Sequence, residues 1–220
     1  MATCFALLCL STPLFPWQAE HPISGRKIAQ VMGVGGADWL DRPERELEEH
    51  PEAALDALQL KPGMTIADVG AGTGYFTLRM ARRVAPGGRV YGVDIQPEML
   101  TKLRKNAAKA NISNIQGILG TESDPKLPVG ELDLILMVDV YHEFSQPQKM
   151  LAGMRAALKA NGRLVLIEYR KEDPAVPIRL EHKMTIQEAK SEVEAEGFRL
   201  EQVLKTLPRQ HILIFKKNIQ

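Results

Sequence analysis

Residues 64–76 read Met64-Thr-Ile-Ala-Asp-Val-Gly-Ala-Gly-Thr-Gly-Tyr-Phe76: an apolar strand, three alternating glycines, then the start of a helix. Gly70, Gly72 and Gly74 carry no Cβ and can take positive φ, so the chain can turn tightly off the strand edge and let a ligand lie against bare backbone. Asp68, two residues before the first glycine, puts a carboxylate at the mouth of that turn.

On either side the pattern repeats. The sequence predicts a helix from Pro51 to Leu60, a strand over 64–69, a helix over 75–84, a strand over 89–94, a helix over 97–110 and a strand near 115–119. Further on it predicts a strand over 132–138, a helix over 147–159, a strand over 163–169, a helix over 186–196 and two strands near 199–206 and 211–216. Thr185-Ile-Gln-Glu188 fits a capping box that starts the last helix. This alternation implies an α/β fold with a mostly parallel, doubly wound sheet joined by right-handed crossovers. Only Leu207, Pro208 and Arg209 separate the last two strands, too few for a crossover, so they are expected to close as an antiparallel hairpin.

The glycine spacing selects a ligand. A dinucleotide fingerprint, G-x-G-x-x-G, has its last glycine where this chain has Tyr75. Asp68 would repel a pyrophosphate but suits the ammonium of a methionine moiety, so D-x-G-x-G-x-G favours S-adenosylmethionine over a nicotinamide cofactor. Arg89-Val-Tyr-Gly-Val-Asp-Ile95 reads as the next strand, and Asp94 at its end can accept both ribose hydroxyls or cap the helix that begins near Pro97.

On Asp68 to Phe76 and Asp94 the chain resembles the class I methyltransferases, in the ubiquinone/menaquinone C-methylase-like branch of bacterial sequences. The resemblance spans roughly residues 50–217 and implies a Rossmann-like, seven-stranded sheet with a C-terminal antiparallel hairpin. It implies S-adenosylmethionine as cofactor and a small-molecule acceptor, with O- or C-methylation foremost. Cofactor contacts are expected from Asp68, Gly70, Ala71, Gly72, Gly74, Tyr75, Asp94, Ile95, Gln96, Val138 and Asp139. In Gly120-Thr-Glu-Ser-Asp124, Thr121 joins them, and either Glu122 or Asp124 can accept the adenine amino group. A protein or RNA methyltransferase, a non-catalytic cofactor-binding module and a nicotinamide oxidoreductase are the rival readings.

After the apolar run 134–138 the chain offers Asp139, Tyr141, His142 and Glu143 at once. Such density of titratable groups at a strand end suggests chemistry. Asp139, Tyr141 and His142 are the candidate catalytic residues; His142, with an unperturbed pKa near ~6.5, can take a proton from an acceptor or simply fix the loop. Tyr169-Arg170 and His182-Lys183 can line an acceptor pocket or form its rim.

The composition excludes more than it selects. The 220 residues carry 28 basic and 27 acidic side chains, a formal charge of +1 that gives no field to steer nucleic acid. Cys4 and Cys9 are the only cysteines, so no disulfide framework and no cysteine-based metal site is expected, and no metal ligands are named. Residues 1–19 read as a signal peptide or a disordered tail, which leaves cytoplasmic and exported locations both open. No other stretch approaches the length of a membrane span, and nothing bears on oligomeric state. Residues 20–50 read as an N-terminal appendage with Pro43 in the first turn of a short helix. That helix either packs Trp39 and Leu40 on the body or closes as a lid over the methyl donor. The methyltransferase domain is expected over 51–217.

Overall fold

The computed structural model describes residues 19–218. The expected signal peptide or tail, residues 1–19, therefore falls almost wholly outside the described residues. Two short helices, α1 (Ala37–Leu40) and α2 (Arg45–Glu49), precede α3 (Pro51–Ala57). Then come β1 (Thr65–Val69), α4 (Tyr75–Val84), β2 (Arg89–Asp94), α5 (Pro97–Lys109), β3 (Ile115–Leu119) and β4 (Leu132–Val138). The chain continues through α6 (Pro147–Ala157), β5 (Leu158–Tyr169), α7 (Ile186–Ala195), β6 (Phe198–Leu204) and β7 (Gln210–Lys217).

The seven strands form one sheet in the order β3-β2-β1-β4-β5-β7-β6. Strands β1 to β5 pair in parallel, and β7 runs antiparallel to both β5 and β6. The last two strands thus form the expected hairpin, with the reversed strand inserted between its neighbours. Strand order reverses between β1 and β4, and an open sheet of this kind binds ligands beyond the carboxyl ends of the strands at that point.

Alternate residues of the central strands feed opposite cores. Leu134 and Leu136 join Leu55, Leu58, Met80 and Val84 on the α3–α4 face, while Ile135 and Met137 join Leu151, Met154 and Val193 on the α6–α7 face. Burying each large aliphatic chain contributes about 1.5–3 kcal/mol, so the pattern fixes strand register as well as stability. The capping box starts α7 as expected: Thr185 Oγ1 accepts the Glu188 N–H at 3.0 Å, and Glu188 Oε2 accepts the Thr185 N–H at 2.8 Å. Strand β5 begins at Leu158, where the sequence predicts the end of a helix, because Leu158 pairs with Leu132 ahead of the register shift that follows.

The N-terminal segment is tied into this body. The Arg26 guanidinium forks onto Glu192 of α7, Nε to Oε1 at 2.8 Å and Nη2 to Oε2 at 3.0 Å, and His21 Nε2 lies 3.3 Å from the same carboxylate. Pro43 falls two residues before α2, in the turn leading to it. Arg45 and Glu49 of α2 are buried and paired at 2.6 Å, and Glu49 also accepts the Tyr169 hydroxyl at 2.9 Å.

Candidate active site

Above the carboxyl ends of β1, β2 and β4 lies a cavity of ≈ 980 Å³, roomy enough for a nucleoside-sized ligand and a second molecule. Its floor is the glycine turn. Gly70, Gly72 and Gly74 have φ of 80°, 53° and 96°, the left-handed region that disfavours side chains. The three serve different ends. A Cβ on Gly70 would meet the Val140 side chain at 2.3 Å, and one on Gly74 would meet Leu103 and Leu78 at 2.3 and 2.4 Å. A Cβ on Gly72 would meet only Leu40 Cδ1, at 3.1 Å. Gly72 therefore presents its bare backbone to the cleft, whereas Gly74 lies beneath the turn and does not line the cavity.

Two buried carboxylates flank the turn. Asp68 accepts the Thr77 hydroxyl at 2.5 Å, and burial lifts its pKa to about 6; Thr77 and the more distant Arg45 oppose the lift, and Asp94 adds to it. Asp94 Oδ2 accepts the Gly72 N–H and Oδ1 the Gln96 N–H, both at 2.9 Å, so this residue pins the turn to the start of α5. Burial raises its pKa as well. Its helix-capping alternative is not realised: Gln96 holds the N-cap position, and no side chain caps α5.

Ala71, Tyr75, Ile95, Gln96, Thr121, Glu122, Val138 and Asp139 also line the cavity. Glu122 faces it, whereas the Asp124 carboxylate accepts the Lys126 N–H within its own loop and does not line it. Tyr75 is turned toward the N-terminal segment: its hydroxyl donates to Glu46 at 2.7 Å and its ring lies 4.3 Å from the Arg45 guanidinium. That segment roofs the cavity through Ile28 to Met32, Trp39 and Leu40. It is stitched down by Gln96 Nε2 to the Met32 carbonyl at 2.9 Å and by Thr73 to Asp41 at 2.7 Å.

At the end of β4 the structure separates residues that adjoin in sequence. Asp139 has φ of 52°, Oδ2 accepts from Gln210 at 2.6 Å, and Oδ1 is buried with no hydrogen-bond partner among the described residues. Burial beside Glu49 and Glu168 pushes its pKa well up. Tyr141 points the other way, fully buried in the core with its hydroxyl 3.5 Å from His21 Nε2, and does not line the cavity. The catalytic expectation for Tyr141 thus meets a packing role, because the 3-10 turn Tyr141–Glu143 sends successive side chains to different sides.

His142 is almost fully buried yet lines the cavity, with Nδ1 2.6 Å from Glu168 Oε2 and Nε2 3.1 Å from His182 Nδ1. Glu168 also accepts the Tyr141 N–H at 3.0 Å through Oε1. Sequence reading missed Glu168; a lone carboxylate closing the apolar run 164–167 was the available signal. Burial raises the pKa of Glu143 to about 7 and lowers that of His182. Of the residues read as acceptor-pocket lining or rim, Tyr169 and His182 line the cavity. Arg170 instead holds the carbonyls of Leu207 and Gln210, and Lys183 that of Val176.

Residues 60–210 match the family model described as a methyltransferase domain. The chain is 31% identical over 140 residues to nocamycin O-methyltransferase of Saccharothrix syringae, covering 64% of this chain and 48% of that protein. It is 38% identical over 117 residues to demethylmenaquinone methyltransferase of Tropheryma whipplei, covering 53% of this chain and 46% of that protein. The chain thus spans about half the length of these curated relatives. Among solved structures it resembles a SAM-dependent methyltransferase from Aquifex aeolicus with a TM-score of 0.79 and 27% identity, over 84% of this chain and 98% of that one.

Proposed function

Because the chain belongs to the class I S-adenosylmethionine-dependent methyltransferases, we propose that it moves a methyl group to an oxygen or carbon of a small-molecule acceptor held in the cavity above the glycine turn. The observation that carries this reading is one cavity lined by the Gly72 backbone, Asp68, Asp94 and the His142 imidazole together. Relatives named for small molecules support the acceptor class. Among the described residues no helix is long and apolar enough to cross a membrane.

The residues suit S-adenosylmethionine. Asp94 spends one lone pair of each oxygen on the Gly72 and Gln96 amides and keeps the others for ribose hydroxyls. Asp68 offers charge to the methionine ammonium, and the unpartnered Asp139 Oδ1 offers an acceptor to a donor in the cleft. When bound, this cofactor supplies a methyl group already activated on a sulfonium. The chain's part is to hold the acceptor in line, which can supply several kcal/mol, and to keep water out beneath the N-terminal roof. Glu168 Oε2, 2.6 Å from His142 Nδ1, fixes the imidazole so that Nε2 faces the cavity side, 3.1 Å from His182 Nδ1.

Calorimetry is expected to show micromolar binding of S-adenosylmethionine and its demethylated product; NADH binding without S-adenosylmethionine binding at ~1 mM overturns the reading. Asp94→Ala is expected to weaken binding by about 1.5–3 kcal/mol, as for hydrogen bonds lost to a charged group. Binding also carries a pH signature. Asp68 is raised to about 6, so its charge is present above that pH and is lost as pH falls through it. One unit below, affinity for the cationic ligand is expected to drop about tenfold, and Asp68→Asn is expected to flatten the profile. An equal slope in that variant assigns the effect elsewhere. Incubation with pooled metabolites, read as mass gains of one methyl, identifies the acceptor; protein or RNA labelling alone would redirect the assignment.

A further inference from the structure

One wall of the cavity holds groups that transfer from an activated sulfonium does not require. His142 Nε2 and His182 Nδ1 lie 3.1 Å apart, Glu143 Oε1 is 4.0 Å from His182 Nδ1, and one ligand atom from each residue lies within 4.8 Å of the other two. The three come from two 3-10 turns, Tyr141–Glu143 and Leu180–His182, which the fold brings face to face. Behind them Glu168 engages His142 Nδ1 at 2.6 Å, the carboxylate–imidazole pairing that fixes a metal-ligating ring with its other nitrogen bare. Two nitrogens bound tetrahedrally at 2.0–2.1 Å from one ion stand about 3.3 Å from each other, close to the spacing here. The Glu143 carboxylate, with an oxygen within 4.8 Å of both nitrogens, is the third member of the cluster.

We propose that His142 Nε2, His182 Nδ1 and the Glu143 carboxylate hold one divalent transition-metal ion, and that its open positions take an ionisable oxygen of the methyl acceptor. Two imidazoles and one carboxylate suit Zn²⁺, Fe²⁺ or Co²⁺ better than Mg²⁺ or Ca²⁺, which prefer all-oxygen shells. Three protein ligands leave room for a substrate atom, as in catalytic rather than structural sites. The ion makes a bound O–H more acidic. Its proton leaves to solvent, the freed electron pair forms the bond to the methyl carbon, and the carbon–sulfur pair returns to sulfur as a neutral thioether. This acceptor role rests on the methyl-transfer reading; the ion site itself does not. Cysteine spacing, the usual sequence signal for such sites, is absent from this wall, since Cys4 and Cys9 are the only cysteines.

The test is titration of the chelator-stripped full chain with Zn²⁺ by calorimetry and with Co²⁺ by visible absorption, for the wild type, His182→Ala and Glu143→Gln. His182 is at the cavity rim, its side chain 27% exposed, so its truncation leaves the core intact. The wild type is expected to bind one ion with the intense visible bands of low-coordinate Co²⁺, and each variant to lose at least tenfold in affinity. Equal Zn²⁺ affinity in all three, as binding at Cys4 and Cys9 would give, overturns the proposal. So does a wild type that takes up neither ion at ~0.1 mM. Ion uptake needs neither methyl donor nor acceptor, so its failure is distinct from failure of methyl transfer.

Discussion

Gly72→Val is expected to abolish S-adenosylmethionine binding while the circular-dichroism spectrum of the domain stays native. The backbone at Gly72 has φ of 53°, and the left-handed conformation costs a residue with a Cβ about 1–2 kcal/mol, more when β-branched. A domain stable by about 5–15 kcal/mol tolerates that. Its new Cβ meets only Leu40 Cδ1, at 3.1 Å and at the tip of a flexible chain in the roof, and the position faces the cavity. The Gly72 N–H also anchors Asp94, so a shifted backbone disturbs the second carboxylate too. Gly70 and Gly74 make poor probes, because a Cβ there strikes Val140 or Leu103 at 2.3 Å and confounds folding with binding. Normal affinity in Gly72→Val would show that no ligand approaches this backbone. Gly72→Ala should fall between the two, with calorimetry and thermal melting read on the same samples.

What the sequence makes legible here is whatever rests on local pattern. The seven strands, the reversed β7, the capping box at Thr185 and the positive-φ glycines all follow from periodicity, turn length and residue type within short windows. The cofactor end of the cleft is legible for the same reason: β1, its glycine turn and α4 are contiguous, and Asp94 sits at the end of the adjacent strand. The acceptor end is assembled from distant segments. Glu168 and His182 meet His142 across 26 and 40 residues, and no spacing rule predicts that. Tyr141 shows the limit in the other direction, since adjacency to His142 says nothing about which side of a 3-10 turn a side chain takes. The buried pairs of the N-terminal segment are equally hidden, because Arg26 and Glu192 read in sequence as two ordinary surface charges.

Those pairs carry the second large effect: removal of residues 1–46 is expected to unfold the domain rather than merely uncover the cleft. Glu192 is fully buried and is held by Arg26, His21 and Ser24, all of which the truncation deletes. Glu49, also buried, loses Arg42 and Arg45 and keeps only the Tyr169 hydroxyl. Stripping the partner from one buried ion pair costs about 3–5 kcal/mol, and two such losses approach the whole stability of an ordinary domain. Point substitution separates this from loss of chain length. Arg26→Met is expected to lower stability by about 3–5 kcal/mol in urea titration, because the buried Glu192 loses its guanidinium and keeps only Ser24 and His21 beside it. Adding Glu192→Met to it should recover most of that loss, since an apolar pair of similar volume replaces the ionic one without stranding a charge. A truncated chain that melts cooperatively and binds cofactor would mean that the N-terminal segment is a detachable lid and that Glu192 finds solvent or another partner without it.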